Sequence, residues 1–362
     1  MEVTREEGGI PDVVLPSDVF DLDFHPSRNV VAAGMIDGKV QAYTYTPEGN
    51  TCVLSLNHHQ DACRVVMFSE DGSALYTGSS DKSIRAYDVN GGVLWAELNA
   101  HLNPVNQLHS ISNNVFTSGD DQGCVKMWDV RQHRCIVEWN EHTDYISDMT
   151  TNESKSTLLV TGGDGRLSVY DLKKNKFVQK SDELDDELLS VQIIKNGRKV
   201  VCGSQDGVLV IFSWDTWGDM SDRFPGHPDS VETILKVDED TVLTGSSDGI
   251  IRVVQLHPNK LLGLIGDHED MPVEVLKFSH DRRIVGSVAH SNKVHFWDVG
   301  YLYDDDGGDD DGDDTEEAKG LEFDPKGDDD SMDDSDDDSD DAGGQGGRQA
   351  FPTKREAFYS DL

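Results

Sequence analysis

The sequence predicts an all-β fold, a seven-bladed β-propeller followed by a disordered acidic C-terminal tail. Three observations carry that prediction. Seven positions recur about one blade-length apart, Tyr43, Tyr87, Trp128, Tyr170, Phe212, Val254 and Trp297, at intervals of 44, 41, 42, 42, 42 and 43 residues. Each ends a short alternating apolar run that follows a Gly/Ser/Asp-rich turn, as in TGSSDKSIRAYDV (77–89), TGGDGRLSVYDL (161–172) and TGSSDGIIRVVQL (244–256). A period in the low forties that ends in an aromatic-Asp pair marks four-stranded propeller blades. Finally, between Asp304 and Asp341 there are 22 acidic residues against Lys319 and Lys326. Such a stretch cannot bury enough apolar surface to fold alone.

In chain order, residues 1–9 are expected to be a flexible N-terminus, 10–303 the propeller and 304–362 the tail. The segment Ile10–Leu15 precedes the inner strand of blade one, DVFDLDFHP (18–26). At the other end, Trp297-Asp298-Val299 runs almost directly into the acidic tail, which leaves no room for an outer strand in blade seven. Ile10–Leu15 is therefore expected to supply that strand and close the ring, removing the exposed sheet edges. Blade two shows the common plan: CRVVMFS (63–69), SALYTGS (73–79), SIRAYDV (83–89) and GVLWAEL (92–98) are four strands with half-buried alternation. The SSDG, GGDG and SQDG clusters supply the tight turns. Phe212 and Val254 stand where other blades carry Trp or Tyr, so blades five and six are expected to be the least rigid. The pair Trp214-Asp215 falls two residues out of phase and is assigned to a turn.

Charge narrows the function. The formal net charge is −39, and residues 1–303 still carry −20. That disfavours tight binding to nucleic acid, which depends on Lys and Arg displacing counterions. It disfavours an anionic membrane surface as well and favours encounters with basic proteins. The five cysteines show neither a CxxC pair nor a His-linked metal spacing, and their odd number fits a reducing compartment. The N-terminal MEVTREEGGIPD has no apolar core of a secretory signal, and no apolar run reaches bilayer-spanning length. The expectation is an intracellular monomer.

A single His, Ser/Thr and Asp set would suggest a hydrolase triad. Here the set repeats once per blade: His59, Thr77 and Asp81 before Tyr87; His142, Thr161 and Asp164 before Tyr170; His227, Thr244 and Asp248 in blade six. Repetition points to buried networks in which a loop His bonds the turn Asp and Ser/Thr and Trp/Tyr extend the chain. A catalytic nucleophile needs one exposed site, not several buried copies. In blade five, Asp185 or Glu183 stands near the expected His. No catalytic residues, cofactor or metal are expected.

Two further features point to partners. Trp128-Asp129-Val130-Arg131, preceded by VFTSGDDQGCVKM (115–127), resembles the box by which many WD-repeat proteins dock on the damaged-DNA-binding adaptor of cullin-4 type ubiquitin ligases. Arg131 would stand on the bottom rim, where a planar guanidinium suits bidentate bonds to a partner. Corresponding positions in other blades carry Asn90, Lys173 or Gly300. In the tail, Ser331 and Ser335 each have an Asp three residues on, the spacing favoured by acid-directed kinases, and phosphorylation would deepen the negative field. The aromatic clusters at Phe351 and at Phe358-Tyr359 are either a peptide ligand or solvated filler.

The opening DVFDLDFHPSRNVVAAGMIDGKVQAYTY (18–45), the GSSDKSIRAYDV blade (78–89) and the acidic tail ending in Phe358-Tyr359-Ser360-Asp361-Leu362 together resemble the WD repeat-containing protein 55 family of WD40 propellers. The resemblance covers most of the chain. It implies a nuclear and nucleolar scaffold that supports ribosomal RNA synthesis and processing, with the cytoplasm left open as a further location. The partners implied are basic ribosomal or pre-ribosomal proteins. It also implies a substrate receptor of the cullin–adaptor ligase as the alternative. One departure is the lack of a long Lys/Arg run in the tail; Lys173-Lys174-Asn175-Lys176 lies inside the propeller and is a poor import signal.

Overall fold

The computed structural model describes residues 9–89, 92–97 and 99–303. The acidic tail, with Ser331, Ser335 and the terminal aromatic clusters, and most of the N-terminal segment 1–9 lie outside the described residues.

The chain forms seven four-stranded antiparallel sheets and no α-helix among the described residues. Six sheets are contiguous in sequence. Blade one comprises Val19–Phe24, Val30–Met35, Lys39–Thr46 and Gly49–Asn57, in that order from the inside outward. The second to sixth blades repeat it from inner strands beginning at Cys63, Val105, Ile146, Leu188 and Val231. Inner strands lie against the next blade's inner strand and stitch to it through side chains. Asp21 and Asp23 accept the Val66 and Phe68 N–H groups at 2.8 and 2.7 Å. Asn106 and Gln107 donate to the Ile146 and Ser147 carbonyls at 2.8 and 2.7 Å.

The seventh sheet is assembled from both ends of the propeller. Val273–Phe278, Ile284–Ala289 and Lys293–Asp298 provide three strands, and Val13–Val14 adds the fourth, Val13 opposite Val294 and Val14 opposite Lys293. The Leu15 N–H bonds the Asn292 carbonyl at 2.8 Å, and the Asn292 amide returns a bond to the Leu15 carbonyl at 3.0 Å. Asp12 pairs with His295 at 3.1 Å. Val13 and Leu15 are buried with Leu22, Phe24, Val294 and Phe296, a cluster that spans blades seven and one. The closing strand is shorter than Ile10–Leu15 because only two residues find ladder partners.

The periodic positions occupy one structural place. Tyr43, Tyr87, Trp128, Tyr170, Phe212, Val254 and Trp297 face Val31, Leu75, Phe116, Leu158, Val200, Val242 and Val285, each the second residue of its blade's second strand. Phe212 and Val254 are as buried as the aromatic copies. Both keep the apolar contact with the second strand; Phe212 lacks only a polar atom and Val254 lacks the ring as well. Trp214 lies past the strand Val208–Ser213, with its N–H on the Arg198 carbonyl and its ring edge-on to the buried Trp217 at 4.9 Å.

Strand direction gives the ring two faces. Loops entering each blade and turns between second and third strands share the top face. Hairpins between first and second strands, and segments following third strands, share the bottom face.

Candidate functional site

The recurring His and Asp residues meet at the top end of blades two, three and four, and blade three holds the most complete set. His101 Nδ1 lies 3.0 Å from Asp120 and its Nε2 lies 2.6 Å from Ser118 Oγ. Trp128 donates its indole N–H to the same Oγ at 2.8 Å. The four residues join the entering loop to the second and third strands, Val115–Asp120 and Val125–Asp129, and all are buried. Burial pushes the His101 pKa down against the Asp120 carboxylate. Burial pushes Asp120 up, but His101 and the Cys124 and Gln122 N–H groups outweigh it and hold the carboxyl below its ordinary range.

Cys124 also stands within 4.8 Å of His101 and Asp120, a spacing a metal could span. The chemistry does not fit. Both imidazole nitrogens already have partners, and burial pushes the Cys124 thiol up to about 12, so it stays protonated instead of offering a thiolate.

Blade two repeats the pattern: His59 Nδ1 reaches Asp81 at 3.1 Å and Nε2 reaches Thr77 at 2.8 Å. Tyr87 joins through the His58 ring, 4.5 Å from its own. In blade four His142 bonds Asp164 at 2.8 Å, but its Nε2 bonds Ser168 at 2.6 Å, not Thr161. Ser168 continues the chain to the Tyr170 hydroxyl at 3.1 Å. The correction comes from register. Thr161 sits opposite Asp148, the place taken by Gly78, Gly119, Gly203 and Gly245 in other blades. A one-residue offset puts a strand side chain on the other face, and Thr161 instead accepts the Ser147 hydroxyl at 3.0 Å. Glycine elsewhere admits the next blade: a Cβ on Gly119 would come within 2.7 Å of the Ile146 side chain.

Blade six departs in another way. His227 Nε2 bonds Thr244 at 2.8 Å, but Asp248 is taken by Arg252, which forks onto both carboxylate oxygens. The expected His227–Asp248 bond is therefore absent, and His227 Nδ1 has no hydrogen-bond partner among the described residues. In blade five Leu184, not Asp185 or Glu183, takes the His place: its N–H bonds the Gly165 carbonyl as the His227 N–H bonds Gly207. Glu183 pairs with Arg166 at 2.7 Å on the exposed edge.

Sequence reasoning missed His101, Ser118 and Asp120, and in blade seven His268 and Ser287, which bond at 2.7 Å with Trp297 donating to Ser287 at 2.7 Å. The histidines themselves carried the signal, since 59, 101, 142, 227 and 268 follow the same period with one copy skipped.

Burial lowers the His227 pKa to about 4, with Arg252 assisting. A histidine whose folded pKa is depressed contributes full stability above its unfolded value near 6.5 and loses it as pH falls toward the folded value. At pH 5 the loss is about 2 kcal/mol. His227→Gln should therefore gain that much on wild type between pH 7 and pH 5 in urea unfolding; parallel pH profiles would contradict the assignment.

On the bottom rim, Arg131 forks onto Asp129: Nε to Oδ1 at 3.1 Å and Nη2 to Oδ2 at 2.9 Å, with the Arg131 N–H also on Oδ1 at 3.0 Å. Gln132 adds a fourth bond to the same carboxylate at 2.7 Å. Arg131 chiefly holds the Asp129 carboxyl far below its ordinary range. The Arg131 side chain is 64% exposed, Asp129 only 3%, and Trp128 belongs to the buried network. Of the docking-box residues, only Arg131 presents substantial surface to a partner.

Comparison with known proteins adds the family context. A family model described as WDR55 matches residues 10–302. WD repeat-containing protein 55 of Arabidopsis thaliana is 45% identical over 291 residues, covering 80% of this chain and 82% of its own length. The Homo sapiens protein of the same name is 40% identical over 302 residues, covering 83% and 79%. WD repeat-containing protein JIP5 of Coprinopsis cinerea is 37% identical over 306 residues, covering 81% and 75%.

Proposed function

Because the chain belongs to the WD repeat-containing protein 55 family, we propose that it is a non-enzymatic scaffold for protein–protein interactions that supports ribosomal RNA synthesis and processing in the nucleus and nucleolus. The observation that carries the scaffold reading is where the reactive groups lie. His59, His101, His142, His227 and His268 are buried and bonded within their own blades, so the recurring triad-like sets are mechanical ties. What the propeller offers outward is a rigid, acidic surface, which draws basic proteins such as ribosomal or pre-ribosomal factors. Depleting the protein should cause precursor ribosomal RNA to accumulate on northern blots. A normal precursor pattern would remove the ribosomal part of this reading and leave the scaffold.

A second reading rests on Arg131. Its guanidinium is exposed yet oriented by Asp129, which suits docking on the adaptor of a cullin-4 type ubiquitin ligase. Arg131→Ala should leave the fold intact, since Gln132 and the main-chain N–H of residue 131 still bond Asp129, while abolishing co-purification of the adaptor. Unchanged adaptor recovery would reject this second reading.

A further inference from the structure

We propose that a cavity on the bottom face, between blades four, five and six, binds an uncharged peptide segment carrying a proline or aromatic ring; this rests on the scaffold reading. The cavity holds about 430 Å³, and Trp214, Asn152, Gln192, Asn196, Glu153 and Lys236 are among the residues that line it. That volume lies within the range of ligand pockets, which combine an apolar surface with a few convergent polar groups.

The Asn152 amide is engaged by its own hairpin, donating to Ser156 Oγ at 3.0 Å and accepting the Ser156 and Thr157 N–H groups at 2.9 and 3.0 Å, but the other two amides are available. The Gln192 and Asn196 amides make no side-chain hydrogen bond among the described residues, and neither does the Trp214 indole N–H. Trp214 itself is fixed edge-on by the buried Trp217 at 4.9 Å, so a flat apolar surface stands ready without ordering cost. Amides offer a donor and an acceptor side by side, the complement of a peptide group.

Charge decides the class of ligand. Lys236 is the sole cation of the lining, and it is bonded to Glu239 at 2.5 Å. With Glu153 also in the lining, the cavity offers nothing to neutralise a phosphate, so a nucleotide or an RNA backbone is disfavoured. A neutral peptide, its ring on Trp214 and its main chain on the amides, satisfies what remains.

The turn that carries Asn196 is fixed in place. Lys195, Asn196 and Gly197 are three successive left-handed residues, with φ of 56°, 54° and 75°, the conformation that an Asn-Gly hairpin turn adopts, closed by the Arg198 N–H on the Lys195 carbonyl at 3.2 Å. The neighbouring blade holds it as well: Glu239 accepts the Asn196 N–H through its carboxylate, and its carbonyl accepts the Lys195 N–H at 2.9 Å.

The test is selection of a random 12-residue peptide phage library on the full chain, followed by titration of the enriched peptides against three variants. Asn196→Gly removes the amide while suiting the left-handed φ, so it should melt at or above the wild-type temperature. Trp214→Ala removes the ring platform. Neutral peptides with a shared proline or aromatic residue, bound at least 10-fold more weakly by both variants and unchanged by Arg131→Ala, are the expected result. No enrichment, binding indifferent to Asn196→Gly, or selection of acidic or basic peptides would overturn the proposal. Competition by a single-stranded oligoribonucleotide or a neutral oligosaccharide in place of peptide would overturn it too. Partner proteins still captured in cells by both variants would sink this cavity and leave the scaffold standing.

Discussion

A chain lacking residues 1–16 melts about 8–10 °C below the full-length protein in a single transition of the whole domain. The physical cause is that the deleted segment belongs to blade seven. Val13 and Leu15 are 2% and 3% exposed, and burying each aliphatic side chain is worth about 2 kcal/mol. The ladder with Val294 and Lys293, the two Leu15–Asn292 bonds and the Asp12–His295 pair go with them. In a domain of this size each kcal/mol moves the melting temperature by about 2 °C. The loss also bares the edge of Lys293–Asp298, an unpaired strand edge that invites pairing with another chain. Scanning calorimetry beside size-exclusion chromatography checks both consequences. A truncated chain that melts with the full-length protein would mean that the N-terminal strand does not close the ring.

Trp128→Ala has the second largest effect. The side chain is 4% exposed, packs in one cluster with Tyr76, Trp95 and Phe116 where blades two and three meet, and its N–H ends the His101–Ser118 chain. Truncating a buried tryptophan costs about 3–5 kcal/mol. Trp128→Phe keeps most of the volume and loses one hydrogen bond, for about 1 kcal/mol. Three positions along, Arg131→Ala should cost far less than Trp128→Ala, because Gln132 and the main-chain N–H of residue 131 still bond the Asp129 carboxylate. Urea unfolding of the three variants separates the structural tryptophan from the surface arginine. A Trp128→Ala variant within about 1 kcal/mol of wild type would contradict the network's role.

The propeller was legible because burial repeats. The place facing the second residue of the neighbouring strand must be filled in every blade, so its period survives even where Phe212 or Val254 replaces an aromatic ring. The histidine networks were legible only in part, since their members depend on single-residue register. Thr161 and Thr77 look alike in sequence, yet one faces Asp148 across the ladder and the other bonds His59. Asp248 and Asp81 look alike too, each with an arginine four residues on, yet Arg252 captures Asp248 while Asp81 is held by His59 and Ser83. The cavity beside Trp214 was not legible, because its walls come from three consecutive blades that meet only when neighbouring sheets pack. Even the correct placement of Trp214 outside the period gave no hint that it would line a cavity.

A chain that works through its surface, as a scaffold, meets its partners there, and crosslinking mass spectrometry on the tagged full-length protein in cells reads them out. Reproducible crosslinks from propeller lysines such as Lys236 and Lys173 to a small set of other proteins, most of them basic, are expected. Recovery of crosslinks only within the chain itself, at a depth that detects partners of a control scaffold, would contradict the scaffold role.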